Sequence, residues 1–438
     1  MRIATTTLFN IGSVNLQRHI ADQAKLQNQL STGRKILTPA DDPIASARIL
    51  DITQAKSIQE QYSTNSTAAD SFMRLSDSTL DQVMNLIQNV QELAVSAGNP
   101  ALGPAEKKMK DAELQGRYQE LLGLVNTTDG QGNYLFSGYK GDVRPFTETT
   151  FGQVVYNGDD GQRLVQISDG RQIPISESGA DAFQRIKNGN GTFVTAYTAT
   201  NTGTGIVSPG EVLNSTAWAN APAPRDFKVA FQVLPDPLDP NKTVTTYDLI
   251  NSTTNTSLID GATIPRAAGT AFPRTYTEGG DIIFAKQTGE TAAAWDFGVK
   301  LSVKGAPAAG DQFTVKPSSN VDLFATLGAL SSALNNPGSG STGGAAFQNQ
   351  LNTALSDLSN ALGNVLTVRS YLGARMKETE SVNDTTEDLK LQHAKTLSGL
   401  QDLDYAAAIS EFAQNQMVLD AARKSFAQVQ ELSLFKYI

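Results

Sequence analysis

The chain has 438 residues, 39% hydrophobic and 18% charged, enough apolar material for two or three folded domains and too balanced a mixture for wholesale disorder. A net charge of -9 without any basic block excludes a nucleic-acid surface, which needs clustered Lys and Arg to displace counterions. The absence of cysteine removes disulfides, thiolate metal sites and cysteine nucleophiles together.

The opening residues, Met1-Arg2-Ile3-Ala4-Thr5-Thr6, lack the basic stretch, apolar run and cleavage site of a secretory signal peptide. No apolar run approaches the roughly 20 residues that span a bilayer, so a membrane span is not expected. From Leu8 to about Val125 glycine and proline are sparse, and the sequence reads as helix. Gly33 predicts a left-handed stop to the first helix, and Asp42-Pro43 predicts an N-cap with proline in the first turn of the second. In that second helix Phe72, Ser76, Thr79, Val83, Leu86, Val90, Leu93 and Ala97 step by four and three, with Met73, Leu80, Ile87 and Ala94 beside them. A stripe that wide predicts more than one packing neighbour.

Gly98 to Pro104 breaks the chain before a helix carrying Leu114, Tyr118, Leu121 and Val125. Asp129-Gly130-Gln131-Gly132-Asn133 then predicts a turn and Tyr134-Leu135-Phe136 a strand of a β-hairpin. From about Tyr139 to Asn320 the helical period gives way to strand alternation, as in Phe227, Val229, Phe231 and Val233 or Phe297, Val299, Leu301 and Val303. Asn157-Gly158, Asp169-Gly170 and Asp260-Gly261 are turn pairs between such runs.

Helix returns at Asp322 with Leu323, Leu327, Leu330 and Leu334, and the glycine-rich stretch 338–344 reads as a flexible linker. A long helix follows, with Leu351, Ala354, Leu358, Ala361, Val365, Val368 and Leu372 at the same steps. In the last helix Tyr405, Phe412, Leu419 and Phe426 lie seven apart, with Ala408, Ala422 and Val429 three positions after three of them. That is a coiled-coil seam interrupted by Asn415. The fold class is therefore α+β and multidomain: a helical bundle or coiled coil built from both chain ends, with an inserted β-rich domain. Residues 1–43 with 403–438 are expected to form a terminal coil, 44–138 with 321–402 a bundle with a hairpin, and 139–320 the outer domain.

One buried face barely offsets the entropy of ordering a terminal helix. Both extreme ends are therefore expected to be largely disordered in the free monomer and to become helical in the assembly. Leu8, Ile11, Leu16, Ile20, Leu30, Tyr405, Ile409, Phe412, Leu419, Phe426, Val429, Leu434 and Phe435 are the expected assembly interface.

Catalytic chemistry has little to build on. Only His19 and His393 are present, far apart in sequence and each inside a helical pattern, so neither a metal centre nor a Ser-His-Asp site is expected. Asp41 and Asp42 read as capping carboxylates rather than an acid-base pair. The loops 129–133 and 157–161 carry oxygen ligands and glycines but lack the spaced bidentate Glu of a calcium loop. The Asn- and Thr-rich middle reads as a solvent-facing surface, with carbohydrate binding or adhesion as the other possibility. No cofactor and no enzymatic activity are expected.

Three segments resemble a known family. Gln29-Leu30-Ser31-Thr32-Gly33-Arg34-Lys35-Ile36 with Pro39-Ala40-Asp41-Asp42-Pro43 and Ala45-Ser46-Ala47-Arg48 resembles the N-terminal signature of the bacterial flagellin family. Gly132 to Gly138 resembles its hairpin motif, and Arg369-Ser370-Tyr371-Leu372-Gly373-Ala374-Arg375 its C-terminal one, although Lys377 stands where Asn is more usual. The ends Met1-Arg2-Ile3 and Leu432 to Ile438 look more like the family's hook–filament junction branch than like flagellin itself. The family-motif residues are thus Ser31, Gly33, Arg34, Pro39, Asp41, Asp42, Pro43, Leu372, Gly373 and Arg375. The resemblance covers roughly 1–140 and 320–438; in the middle only Gly310 to Val315 looks familiar. It implies an extracellular, structural subunit of the flagellum, forming a homo-oligomeric ring that adapts a first hook-associated protein (FlgK-type) to the flagellin filament. It further implies secretion through the flagellar type III apparatus without cleavage, and an export chaperone of the FlgN type on the C-terminal helix. A flagellin-type filament monomer is the alternative.

Overall fold

The computed structural model describes residues 5–236, 239, 241–267, 269–290 and 293–431. It contains the expected helical ends and β-rich insert. Helix α1 (Thr5–Thr32) stops at Gly33, whose φ of +69° suits glycine and whose N–H reaches the Gln29 carbonyl at 2.8 Å. Helix α2 (Pro43–Ala97) starts where Asp42 Oδ1 accepts from the Ala45 N–H at 2.9 Å, so the capping carboxylate and the proline both serve the helix start. Helix α3 (Pro104–Val125) follows the expected break.

Between α3 and the C-terminal helices come β1 (Phe146–Thr150), β2 (Gln153–Tyr156), β3 (Leu164–Ser168), β4 (Arg171–Pro174), the short α4 (Gly179–Phe183), β5 (Ile186–Lys187), β6 (Phe193–Tyr197), β7 (Ile206–Val207) and β8 (Glu211–Val212). The short α5 (Ser215–Asn220), β9 (Phe227–Pro235), β10 (Thr243–Asn251), β11 (Thr256–Ser257), β12 (Arg274–Thr275), β13 (Asp281–Ala285), β14 (Asp296–Lys304), β15 (Gln312–Pro317) and β16 (Asn320–Val321) complete the insert. Helices α6 (Leu323–Asn335), α7 (Gly340–Gln401) and α8 (Tyr405–Glu431) end the described chain.

One sheet runs β11-β10-β9-β15-β6, with β12 added on β10; the other runs β13-β14-β7, with β8 also on β14. The alternating residues of β9 and β14 meet between them: the Phe227 ring lies 4.9 Å from Phe297 and 6.0 Å from Phe284. Phe193, Val229, Leu249, Ile282, Val303 and Phe313 fill the rest of this sandwich core. A small antiparallel pair, Ile186 opposite Val321 and Lys187 opposite Asn320, brings the start and end of the sandwich segment together.

All twelve striped residues of α2 from Phe72 to Ala97 are buried, as are Leu114, Tyr118, Leu121 and Val125 of α3 and Leu323, Leu327, Leu330 and Leu334 of α6. On α7 the stripe from Leu351 to Leu372 is buried except at Val368, which is half-buried.

Two expectations need correction. The stretch 338–344 is a linker only as far as Ser339, because α7 begins at Gly340. Gly338 and Gly343 are required by closeness: a β-carbon on Gly338 would stand 2.6 Å from the Gly343 Cα, so the connecting turn lies directly on the first helical turn. The strand expected at Tyr134 to Phe136 shrinks to one bridge, Thr128 to Tyr134, closing a turn in which Asp129 Oδ1 accepts from the Gln131 and Asn133 N–H groups. Phe136 instead turns into the core, edge-on to Phe183 at 5.2 Å.

By contact density the chain forms two units, one of Met1–Thr67, Gln166–Gln172 and Thr379–Ile438, the other of Ala68–Val165 and Ile173–Glu378.

Candidate functional site

In the first unit the two ends of the described chain pack on each other as α1 and α8. Their inner stripes match. Gly12, Leu16, His19, Gln23, Leu26 and Leu30 on α1, and Ala408, Phe412, Asn415, Leu419, Ala422 and Phe426 on α8, step by four and three and are buried or half-buried. This is the heptad geometry of a two-stranded coil. Phe9 and Phe426 close one end with ring centroids 5.1 Å apart. Gly12 leaves room for the second ring, since a β-carbon there would lie 3.0 Å from it.

The seam is polar at His19, Gln23 and Asn415, and on it only Leu26, Ala408 and Leu419 are fully buried among the described residues. Outside it the pair presents Ile11, Val14, Ile20, Ile409, Met417 and Val418 to solvent, with Ile409 56% and Met417 67% exposed. Apolar residues thus stand exposed on the outer flanks of both helices of the pair. Tyr405 sits exposed at the start of α8 with its hydroxyl over Gly33. The side chains of Leu8 and Val429, and Leu434 and Phe435 altogether, lie outside the described residues.

The loop between α1 and α2 locks onto the turn between α7 and α8. The Lys35 N–H donates to the Gln401 carbonyl at 2.8 Å, the Leu403 N–H to the Gly33 carbonyl at 2.9 Å, and Arg34 bridges Asp402. Gln29 Nε2 donates to the Lys35 carbonyl at 2.6 Å. Asp41 accepts from the Leu37 and Thr38 N–H groups, and Lys25 Nζ stands 2.7 Å from its other oxygen. The Lys25 ammonium, followed by the Thr38 N–H, holds the Asp41 carboxyl well below the usual carboxylate range. Ser31 and Pro39 are exposed beside this lock. The motif from Ser31 to Pro43 thus joins the terminal pair to the long helices. The pairing with 401–403 carried no local sequence signal, because its partners are more than 360 residues apart.

An open cleft of about 820 Å³ between α1 and α8 is lined by charges of both signs, among them Asp22, Lys25, Lys35, Asp404 and Glu411. Among the described residues no group of three or more His, Cys, Asp or Glu could hold a metal ion, and no helix is long and apolar enough to cross a membrane.

In the second unit the C-terminal motif is built differently. Leu372 is buried, Gly373 has no atom within 4 Å of a potential β-carbon, and Arg375 pairs with Glu177 and donates to the Pro174 carbonyl. Arg369 Nε lies 2.8 Å from Asp77 and its Nη1 2.7 Å from Asp81, tying α7 to α2.

Residues 3–141 match the family described as "Bacterial flagellin N-terminal helical region" and 346–438 that described as "Bacterial flagellin C-terminal helical region". The chain is 25% identical to "Flagellar hook-associated protein 3" of Salmonella typhimurium over 440 residues, covering 100% of this chain and 99% of that one. The crystal structure of the flagellar junction protein FlgL from Legionella pneumophila is 32% identical, with a TM-score of 0.65, and the match covers 81% of this chain and 100% of that chain. Polar flagellin F of Vibrio parahaemolyticus is 25% identical over 141 residues, 31% of this chain and 37% of its own length.

Proposed function

This chain belongs to the bacterial flagellin family, in its hook-associated protein 3 (FlgL) group, and on that premise we infer that it is a structural subunit of the flagellar hook–filament junction, adapting a hook-associated ring to the flagellin filament. The observation that carries the reading is the extent of the likeness. Hook-associated protein 3 is matched from end to end, insert included, whereas the flagellin match stops at 31% of the chain. In this reading residues 1–43 with 403–438 are the assembling coil, 44–138 with 321–402 the bundle, and 139–320 the outer domain.

The chain performs no catalysis. It forms a homo-oligomeric ring through the flanks of the α1/α8 pair, with a FlgK-type hook-associated protein on one side and flagellin on the other. The exposed Ile11, Val14, Ile409 and Met417 support this, because a pair that buries so few seam residues gains from covering its outer flanks. Before assembly the same flanks need a cover, which a FlgN-type chaperone on α8 provides. Secretion follows the flagellar type III route with an uncleaved N-terminal segment. Deletion of the gene, followed by electron microscopy and analysis of the medium, tests the reading. Hooks without filaments and shed flagellin are expected; filaments of normal length on the deletion strain would exclude a junction role.

A further inference from the structure

The sandwich rests on α7 through a row of polar side chains. Asn349 Nδ2 donates to the Gly205 carbonyl and its Oδ1 accepts from the Val207 N–H, both at 2.9 Å. Ser356 Oγ and Asn360 Nδ2 both donate to the Gly189 carbonyl, at 2.8 and 2.7 Å. These residues recur at helical spacing, and each meets main chain of the insert rather than an apolar side chain. Docking of this kind depends on hydrogen bonds that water can replace.

Asp357 is the charged member of the row. It is 8% exposed and accepts from the Gly189 N–H at 3.3 Å, and no cation pairs with it among the described residues. A carboxylate has about four acceptor positions, so this one is buried with most of them unused. It borders a cavity of about 20 Å³, room for about one water molecule, whose other lining residues, such as Val194, Thr195, Val207 and Pro209 of the insert and Asn352 and Thr353 of α7, are all uncharged. The adjoining open cleft of about 580 Å³ brings one charged group to the neighbourhood, Lys304 of β14. Burial pushes the Asp357 carboxyl up to about 6, and the single Gly189 N–H offsets it only in part.

We propose that Asp357 is the proton-binding element of a latch that holds the β-sandwich on α7 more firmly in mildly acidic than in neutral surroundings. Protonated, the carboxyl is neutral and brings an O–H donor to the cavity. Ionised, it leaves a desolvated charge on one long hydrogen bond, and opening of the 188–191 loop rehydrates it. Because the closed-state value lies above the ordinary 3.8, the stabilisation is complete below 3.8 and is lost as pH rises through about 6. Opening of the loop should therefore increase roughly tenfold between pH 5 and pH 7.5.

Hydrogen exchange of the full chain, corrected for the intrinsic pH dependence of amide exchange, reads this at residues 189–191 and at Val207. The wild type should lose roughly tenfold protection over that range. Asp357→Asn should be flat and, at pH 7.5, more protected than the wild type at either pH. Ser356→Ala and Asn360→Ala remove docking bonds without touching the proton site, so they should lower protection equally at both pH values. An unchanged pH dependence in Asp357→Asn, or a flat wild-type profile, would overturn the latch.

Discussion

Gly33 lies directly beneath Tyr405: a β-carbon on the glycine would stand 2.8 Å from the tyrosine hydroxyl, and the glycine φ of +69° sets that approach. The first residue of α8 is thereby seated on the residue that ends α1. Gly33→Ala should cost about 1 to 2 kcal/mol from the left-handed backbone alone. Tyr405 is exposed and can swing aside, so adding Tyr405→Phe should restore little. Urea unfolding and limited proteolysis of the monomer would read the loss, with cleavage appearing first in α1 and α8. A Gly33→Ala protein as resistant as the wild type would show that the lock is not strained.

The two sides of α8 separate folding from assembly. Leu419 is buried on the seam, so Leu419→Asp places an unpaired charge against α1 and should melt the pair, seen as lost helical circular dichroism. Ile409 faces solvent, so Ile409→Asp should leave the monomer spectrum and melting unchanged yet prevent incorporation into flagella. Normal filament attachment by Ile409→Asp would remove that flank from the interface. Phe412→Asp, at a half-buried position, is expected to show both defects to a lesser degree in the monomer.

Arg274 staples the two sheets. It extends from β12 in one sheet to the Ile283 and Ala285 carbonyls of β13 in the other, at 2.9 and 2.7 Å, and is held by Glu290 at 2.7 Å. It also covers carbonyls on a strand that could otherwise pair with another chain. Arg274→Ala leaves Glu290 and both carbonyls without their partner and should destabilise the sandwich by about 3 to 5 kcal/mol. Arg274→Lys cannot reproduce the forked contacts and should recover less than half. Guanidinium unfolding followed by Trp fluorescence would report it, since Trp295 lies close to Arg274.

The Asp41 carboxyl is lowered in the folded chain, so the order it confers on the 37–43 loop is present above its ordinary 3.8 and lost as pH falls below that value. A carbon-detected titration should place its midpoint well below those of ordinary surface aspartates. Asp41→Asn should free the Leu37 and Thr38 amides to exchange faster at neutral pH, and unchanged exchange would contradict the cradle.

Much of this was legible in local pattern. The stripe from Phe72 to Ala97 and the cap at Asp42-Pro43 follow from periodicity and backbone chemistry, and both act within a few residues. The turn on Gly338 and Gly343 was misread because glycine looks flexible wherever its neighbours are unknown; here they are each other. On the terminal pair the apolar residues alone could not say which flank faces the partner, since Ile11 and Ile20 lie off a seam that includes His19, Gln23 and Asn415. The row from Asn349 to Asn360 has no signature in hydrophobic spacing, which is silent about a face made of amides and hydroxyls. Repeated Asn and Ser at helical intervals was the signal available.

The doorway at β5 and β16 has a consequence for how such a protein can change. The sandwich departs at Lys187 and returns at the facing Asn320, so replacing residues 188–319 with a two-residue Asn-Gly turn would join strands already in register. The helix face uncovered by that excision carries Asn349, Ser356 and Asn360, side chains as content in water as against a protein surface. A lineage could lose, lengthen or exchange the sandwich with little disturbance to α7, and the excised chain should keep its helical circular dichroism. The sandwich is in that sense a replaceable part.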